Sequence, residues 1–108
     1  MSESLRVLFI PEASILAHVG RTLSIADALP ADSFTALFAC DGKHAHHVDR
    51  ADYARHVLYT RPREELLGRL KRGGSAFDEV ALRRYVEAEV ALLEEMRPDL
   101  VVGDFRPS

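Results

Sequence analysis

Val7-Leu8-Phe9-Ile10 is apolar without a break, too short for a helix and closed by Pro11. A run of this kind is how a strand buried on both faces reads. Such a strand needs cover above and below, so this one feature commits the chain to a layered arrangement. The cover follows directly. From Val19 the apolar positions Val19, Thr22, Leu23, Ala26 and Leu29 step by three and four, with Arg21, Ser24 and Asp27 left for the wet side, until Pro30 ends the pattern. That spacing predicts an amphipathic helix.

The alternation then repeats. Ser33 to Cys40 is apolar and aromatic and closes at Asp41-Gly42, which predicts a second strand. His44 to Asp52 is polar and reads as a short surface helix. Arg55 to Thr60 reads as a weaker third strand, and Arg63 to Leu70 as a helix opened by Pro62 and broken by Gly73-Gly74. Phe77 to Met96 is the longest periodic segment. Its stripe is Leu82, Val86, Val90, Leu93 and Met96, widened by Tyr85, Ala88 and Leu92. After Arg97-Pro98-Asp99, Leu100 to Phe105 supplies a fourth buried strand.

Strands separated by helices imply parallel neighbours, because a parallel pair needs a crossover, and that crossover is right-handed. The predicted class is α/β, with a parallel sheet in the order 3-2-1-4 and helices on both faces. In such a sheet the fourth strand starts the second half beside strand one, and ligands bind in the crevice where the winding reverses.

Composition narrows the function. At 108 residues the chain has room for a single domain, residues 1–108, and 47% apolar against 29% charged residues is an ordinary globular balance. The net charge of −3, with both signs interspersed, makes nucleic acid an unfit partner. One cysteine, Cys40, allows no internal disulfide and fits a reducing compartment. It lies in a core-like run, so it is read as packing and not as a nucleophile. No apolar segment reaches the roughly 20 residues that span a bilayer, and the start MSESLR does not read as a signal peptide, so the expected location is the cytoplasm. Neither a G-x-G-x-x-G nor a G-x-x-x-x-G-K-[ST] pattern occurs, so no phosphate-cradling loop and no dinucleotide cofactor is expected.

The crevice brings two distant points together. Pro11 to His18 lies beyond strand one, and Gly103-Asp104-Phe105-Arg106 closes strand four. A carboxylate near an imidazole sets its tautomer and stabilises the imidazolium that forms when the ring takes a proton, which is the content of a general-base pair. His18 and Asp104 are the candidates for that pair. Glu12, Arg21 and Arg106 flank the same crevice as weaker acceptor-binding candidates, with a surface ion pair as the simpler reading of Glu12 and Arg21. The cluster Lys43 to His47 has two imidazoles on one expected helix face, but Lys43 opposes a cation and no carboxylate or thiolate pattern accompanies them, so no metal site is assigned.

HVGRTLSIADAL after strand one and RPDLVVGDF near the end resemble the amino-terminal, acceptor-binding half of GT-B glycosyltransferases, the superfamily of UDP-glycosyltransferases and macrolide glycosyltransferases. The resemblance implies a Rossmann-like domain in which His18 is the base for an acceptor hydroxyl and Asp104 supports it. It implies inverting transfer of a hexose from a nucleotide-sugar to a small-molecule or lipid hydroxyl acceptor, with neither cofactor nor metal. Ala17 departs from the glycine that relatives carry before the histidine. The family's carboxyl-terminal donor domain has no counterpart in 108 residues, so the chain alone is expected to be inactive. Strand four is then an apolar edge, open to self-association or to a partner. Three rivals stand beside this reading: a non-catalytic subunit of a split GT-B enzyme, a fragment of a nucleotide-sugar epimerase-like enzyme, and a truncated product with no activity.

Overall fold

The computed structural model describes residues 4–75 and 77–107. Its elements are β1 (Leu5–Pro11), α1 (Leu16–Ala28), β2 (Phe34–Ala39), α2 (His46–Arg50), β3 (Arg55–His56), α3 (Arg63–Lys71), α4 (Glu79–Met96) and β4 (Leu100–Asp104). The four strands form one all-parallel sheet in the order β3-β2-β1-β4, so the expected class and strand order both hold.

β1 lies between two partners, and its side chains alternate between two cores. Val7 and Phe9 join Phe38, Cys40 and Val48 under Val19 and Ala26 of α1. Leu8 and Ile10 join Ala39, Leu58, Leu92 and Met96 on the α4 side. Period-two alternation into two apolar layers is why the run carries no polar residue. Phe9 and Phe38, with ring centroids 5.1 Å apart and 19° between planes, stack at the centre of the first layer. Burying one such side chain stabilises the fold by roughly 1.5–3 kcal/mol. Cys40 is buried there, and burial pushes its thiol up to about 11, which suits packing and not nucleophilic chemistry.

Four expectations need correction. β3 is two residues long and not six, because β2 has only Phe38 and Ala39 left to pair with it before the chain turns away at Asp41 and Gly42, whose φ is 125°. α1 opens at Leu16, so His18 lies in its first turn and not in a loop. Ala17, the departure noted above, is the residue type that most favours helix, which agrees with this early start. On α4 the buried line is Ala81, Tyr85, Leu92 and Met96, while Val86 and Val90 stay exposed. The stripe is rotated toward Tyr85, whose ring has more to bury than a valine. β4 is the apolar edge that was expected and not the buried strand its run suggests, with Leu100 and Val101 exposed, because it has a neighbour on one side alone.

Asp78 caps α4 by accepting the Ala81 N–H at 2.8 Å, and this bond holds its carboxyl below the usual range. No helix among the described residues is long and apolar enough to cross a membrane.

Candidate functional site

The parallel ladder carries β1 and β4 side by side to the carboxyl edge of the sheet, with Pro11 opposite Asp104. It continues one step further, since the Glu12 N–H donates to the Asp104 carbonyl at 3.0 Å. Residues 93 and 92 positions apart in sequence therefore meet at one rim. The helix that follows β1 returns across this rim, and His18 and Arg21, three apart, lie on one side of it.

His18 is 7% exposed, and its Nδ1 lies 3.1 Å from the Glu12 carbonyl oxygen. A carbonyl only accepts, so Nδ1 carries the proton and the neutral ring keeps its free lone pair on Nε2. The imidazole also stacks on Phe105, centroids 4.8 Å apart and planes 16° apart. A backbone bond and an aromatic face thus fix the ring.

Asp104 is taken by Arg21. The guanidinium donates through Nε to Oδ2 at 2.8 Å and through Nη2 to Oδ1 at 2.7 Å, a two-pronged pair. This bond holds the Asp104 carboxyl below the usual carboxylate range against the opposing effect of its partial burial, and His18, when protonated, adds a smaller pull in the same direction. The aspartate thus lies within electrostatic reach of the imidazole, while its hydrogen bonds go to Arg21. Of the weaker candidates, Arg21 is this exposed clamp.

Glu12 is inside the fold, 2% exposed. Its Oε1 accepts from Ser14 Oγ at 2.9 Å and from Ser14 N–H at 3.3 Å, and Oε2 accepts from the Tyr85 hydroxyl at 3.3 Å. The surface ion pair considered for Glu12 is replaced by this buried network. The Arg106 side chain is also taken up inside: Nε donates to Glu89 at 3.1 Å, Nη1 to Thr60 Oγ1 at 3.1 Å, and the guanidinium lies 4.2 Å over the Tyr85 ring. Its contacts are those of a residue that joins α4 to the end of β4.

Two clefts open at this rim and share Ser14. One, of about 370 Å³, is walled by Ile15, Leu66, Leu67, Leu70, Phe77 and Phe105, with Glu12 and Ser14 as its polar members. The other, of about 300 Å³, is lined by the polar and charged residues Ser14, Asp41, Lys43, Thr60, Arg61 and Glu64 among others. The His46 and His47 rings approach to 4.1 Å and those of His44 and His47 to 5.9 Å, but His44 precedes α2 instead of sharing its face. Among the described residues no group of three or more metal-ligating side chains converges.

Sequence reasoning missed Phe105 and Tyr85 as members of the site. Phe105 adopts φ 61°, a left-handed backbone that costs a bulky residue about 1–3 kcal/mol, and it is 70% exposed. No local pattern marks it. Tyr85 belongs to the helix stripe, and its polar end facing a core is the available signal, since a buried phenol needs a partner.

No protein-family model matches the chain, and no solved structure matches it. Over 103 residues, 95% of its length, it is 39% identical to the PGL/p-HBAD biosynthesis rhamnosyltransferase of Mycobacterium bovis, covering 23% of that protein. Over 103 residues it is 36% identical to a PGL/p-HBAD biosynthesis glycosyltransferase of Mycobacterium tuberculosis, covering 24% of that protein. It is also 36% identical over 103 residues to an inactive PGL/p-HBAD biosynthesis glycosyltransferase of Mycobacterium bovis, covering 28% of it. The chain is thus similar to one segment of glycosyltransferases, and it spans about a quarter of the length of these curated relatives.

Proposed function

We propose that this chain is the acceptor-binding part of an inverting glycosyltransferase of GT-B architecture, completed by a nucleotide-sugar-binding half. The observation that carries the reading is the His18 Nδ1 bond to the Glu12 carbonyl, which leaves Nε2 as a base at the mouth of the sheet. The apolar cleft beside it offers room for the body of a hydroxyl acceptor. The likeness to glycosyltransferases supports the same class of reaction. Likeness alone does not decide activity, because the relatives named as a glycosyltransferase and as an inactive glycosyltransferase are equally identical to this chain.

In this mechanism the acceptor O–H proton passes to His18 Nε2 as the oxygen bonds to the anomeric carbon from the face opposite the leaving group. The carbon–oxygen bond to the nucleotide phosphate breaks, and the phosphate departs with the electron pair. Asp104, kept ionised by Arg21, stabilises the new imidazolium through space. His18→Ala, made in a protein that carries this chain together with a nucleotide-sugar-binding half, is expected to lower kcat about 10²–10⁴-fold with the fold intact. Turnover at the parent rate in that variant removes His18 as the base.

A further inference from the structure

We propose that Tyr85 is a remote positioning residue for this base: its hydroxyl anchors the Glu12 side chain and so holds the Glu12 carbonyl against His18 Nδ1. The inference rests on the reading of His18 given above and names a residue 73 positions from Glu12, on α4.

Glu12 is held at four points. Its N–H is bound by β4, its Oε1 by Ser14, its Oε2 by Tyr85, and its carbonyl receives His18. The first two ties are local to the rim. Only the third reaches another layer of the protein, and a buried carboxylate short of a donor is costly enough to move toward one. Tyr85 is itself a rigid post. It is fully buried, it accepts the Arg61 N–H at 2.6 Å, and its ring meets Tyr59 and Phe77 edge-on at 5.2 and 5.6 Å with the Arg106 guanidinium over its face. A hydroxyl with so little freedom transmits the position of α4 to the one carbonyl that sets the tautomer of the histidine.

Tyr85→Phe keeps the ring and its packing and deletes only the oxygen. The test is nitrogen NMR of the His18 ring in the 108-residue chain, which distinguishes Nδ1–H from Nε2–H. The parent chain is expected to hold His18 in the Nδ1–H form, and Tyr85→Phe to give a mixture with at least a tenfold fall in the ratio of the two tautomers. An unchanged tautomer in Tyr85→Phe, with only a lower melting temperature, overturns the positioning role and leaves the base reading standing. An Nε2–H form in the parent chain overturns the base reading and this inference with it. Should Tyr85→Phe fail to fold, Glu12→Gln probes the same link from its other end. It sets an amide against the tyrosine hydroxyl and is expected to mix the tautomers; a pure Nδ1–H form there also overturns the proposal.

Discussion

β1 and β4 are both short apolar runs that end at the same rim, yet one is sealed and the other half-bare. From Val7 to Pro11 every residue of β1 is buried, whereas Leu100 and Val101 of β4 are 56% and 43% exposed. Their side chains are of the same kind, so composition does not explain the difference. Position in the sheet does: β1 has β2 and β4 on either side and a helical layer on each face, while β4 has β1 alone. The contrast extends to the site. The β1 end delivers Glu12 in a buried, fully bonded setting, and the β4 end delivers Asp104 and a strained, exposed Phe105.

The sharpest way to break this comparison is to truncate one side chain in each strand. Phe9→Ala removes a stacked ring from the centre of the first core and is expected to cost about 3–5 kcal/mol, enough to unfold a domain of marginal stability. Val101→Ala, on the strand bonded to the same partner, is expected to cost less than about 1 kcal/mol. Urea denaturation of the two variants measures the gap. A similar cost at both positions would mean that β4 is covered in solution.

How much of this was legible in the sequence follows the same division. The β1 run announced its own burial because nothing polar interrupts it, and the strand order followed from the parallel crossovers. β4 carries an equally apolar run, and no local signal tells a central strand from an edge. The third strand is shorter than its own residues suggest because its length depends on where β2 turns away, a property of a different segment. At the site, position was legible and pairing was not. His18 and Arg21 share one side of α1, so the pattern places both near Asp104, but which of them takes its hydrogen bonds depends on reach and on the carbonyl that competes for the imidazole. The contact between Glu12 and Tyr85, 73 residues apart, is a product of packing two layers and has no local trace.

A smaller effect isolates the strain at the β4 end. Phe105→Ala and Phe105→Gly both lose the stack on His18, but only glycine takes φ 61° without steric cost. Phe105→Gly is therefore expected to be more stable than Phe105→Ala by about 1 kcal/mol, read from the difference in urea midpoints. Equal stability of the two would show that this backbone angle relaxes once the ring is gone. The same pair of substitutions at Phe9 has no such expectation, since φ there is that of an ordinary strand.

The least of these effects is electrostatic and depends on pH. The bond from Arg21, opposed by partial burial, leaves the Asp104 carboxyl below its ordinary value of 3.8 in the folded chain. A carboxyl depressed on folding binds protons less readily than in the unfolded chain, so its contribution is present above the unfolded value and disappears as pH falls through the folded one. Arg21 is largely exposed, so water and salt screen the pair and keep the contribution small. Asp104→Asn is accordingly expected to lower the urea midpoint slightly near neutral pH, with the difference from the parent chain closing as pH drops below 3.8. Comparing parent with variant at each pH cancels the other carboxyls that titrate in the same window, among them Asp49, held low by Arg55, and Asp78. A difference that stays constant down to the lowest pH would trace the loss to the shape of the amide and not to the charge, and the β4 end would then owe its place at the rim to the ladder alone.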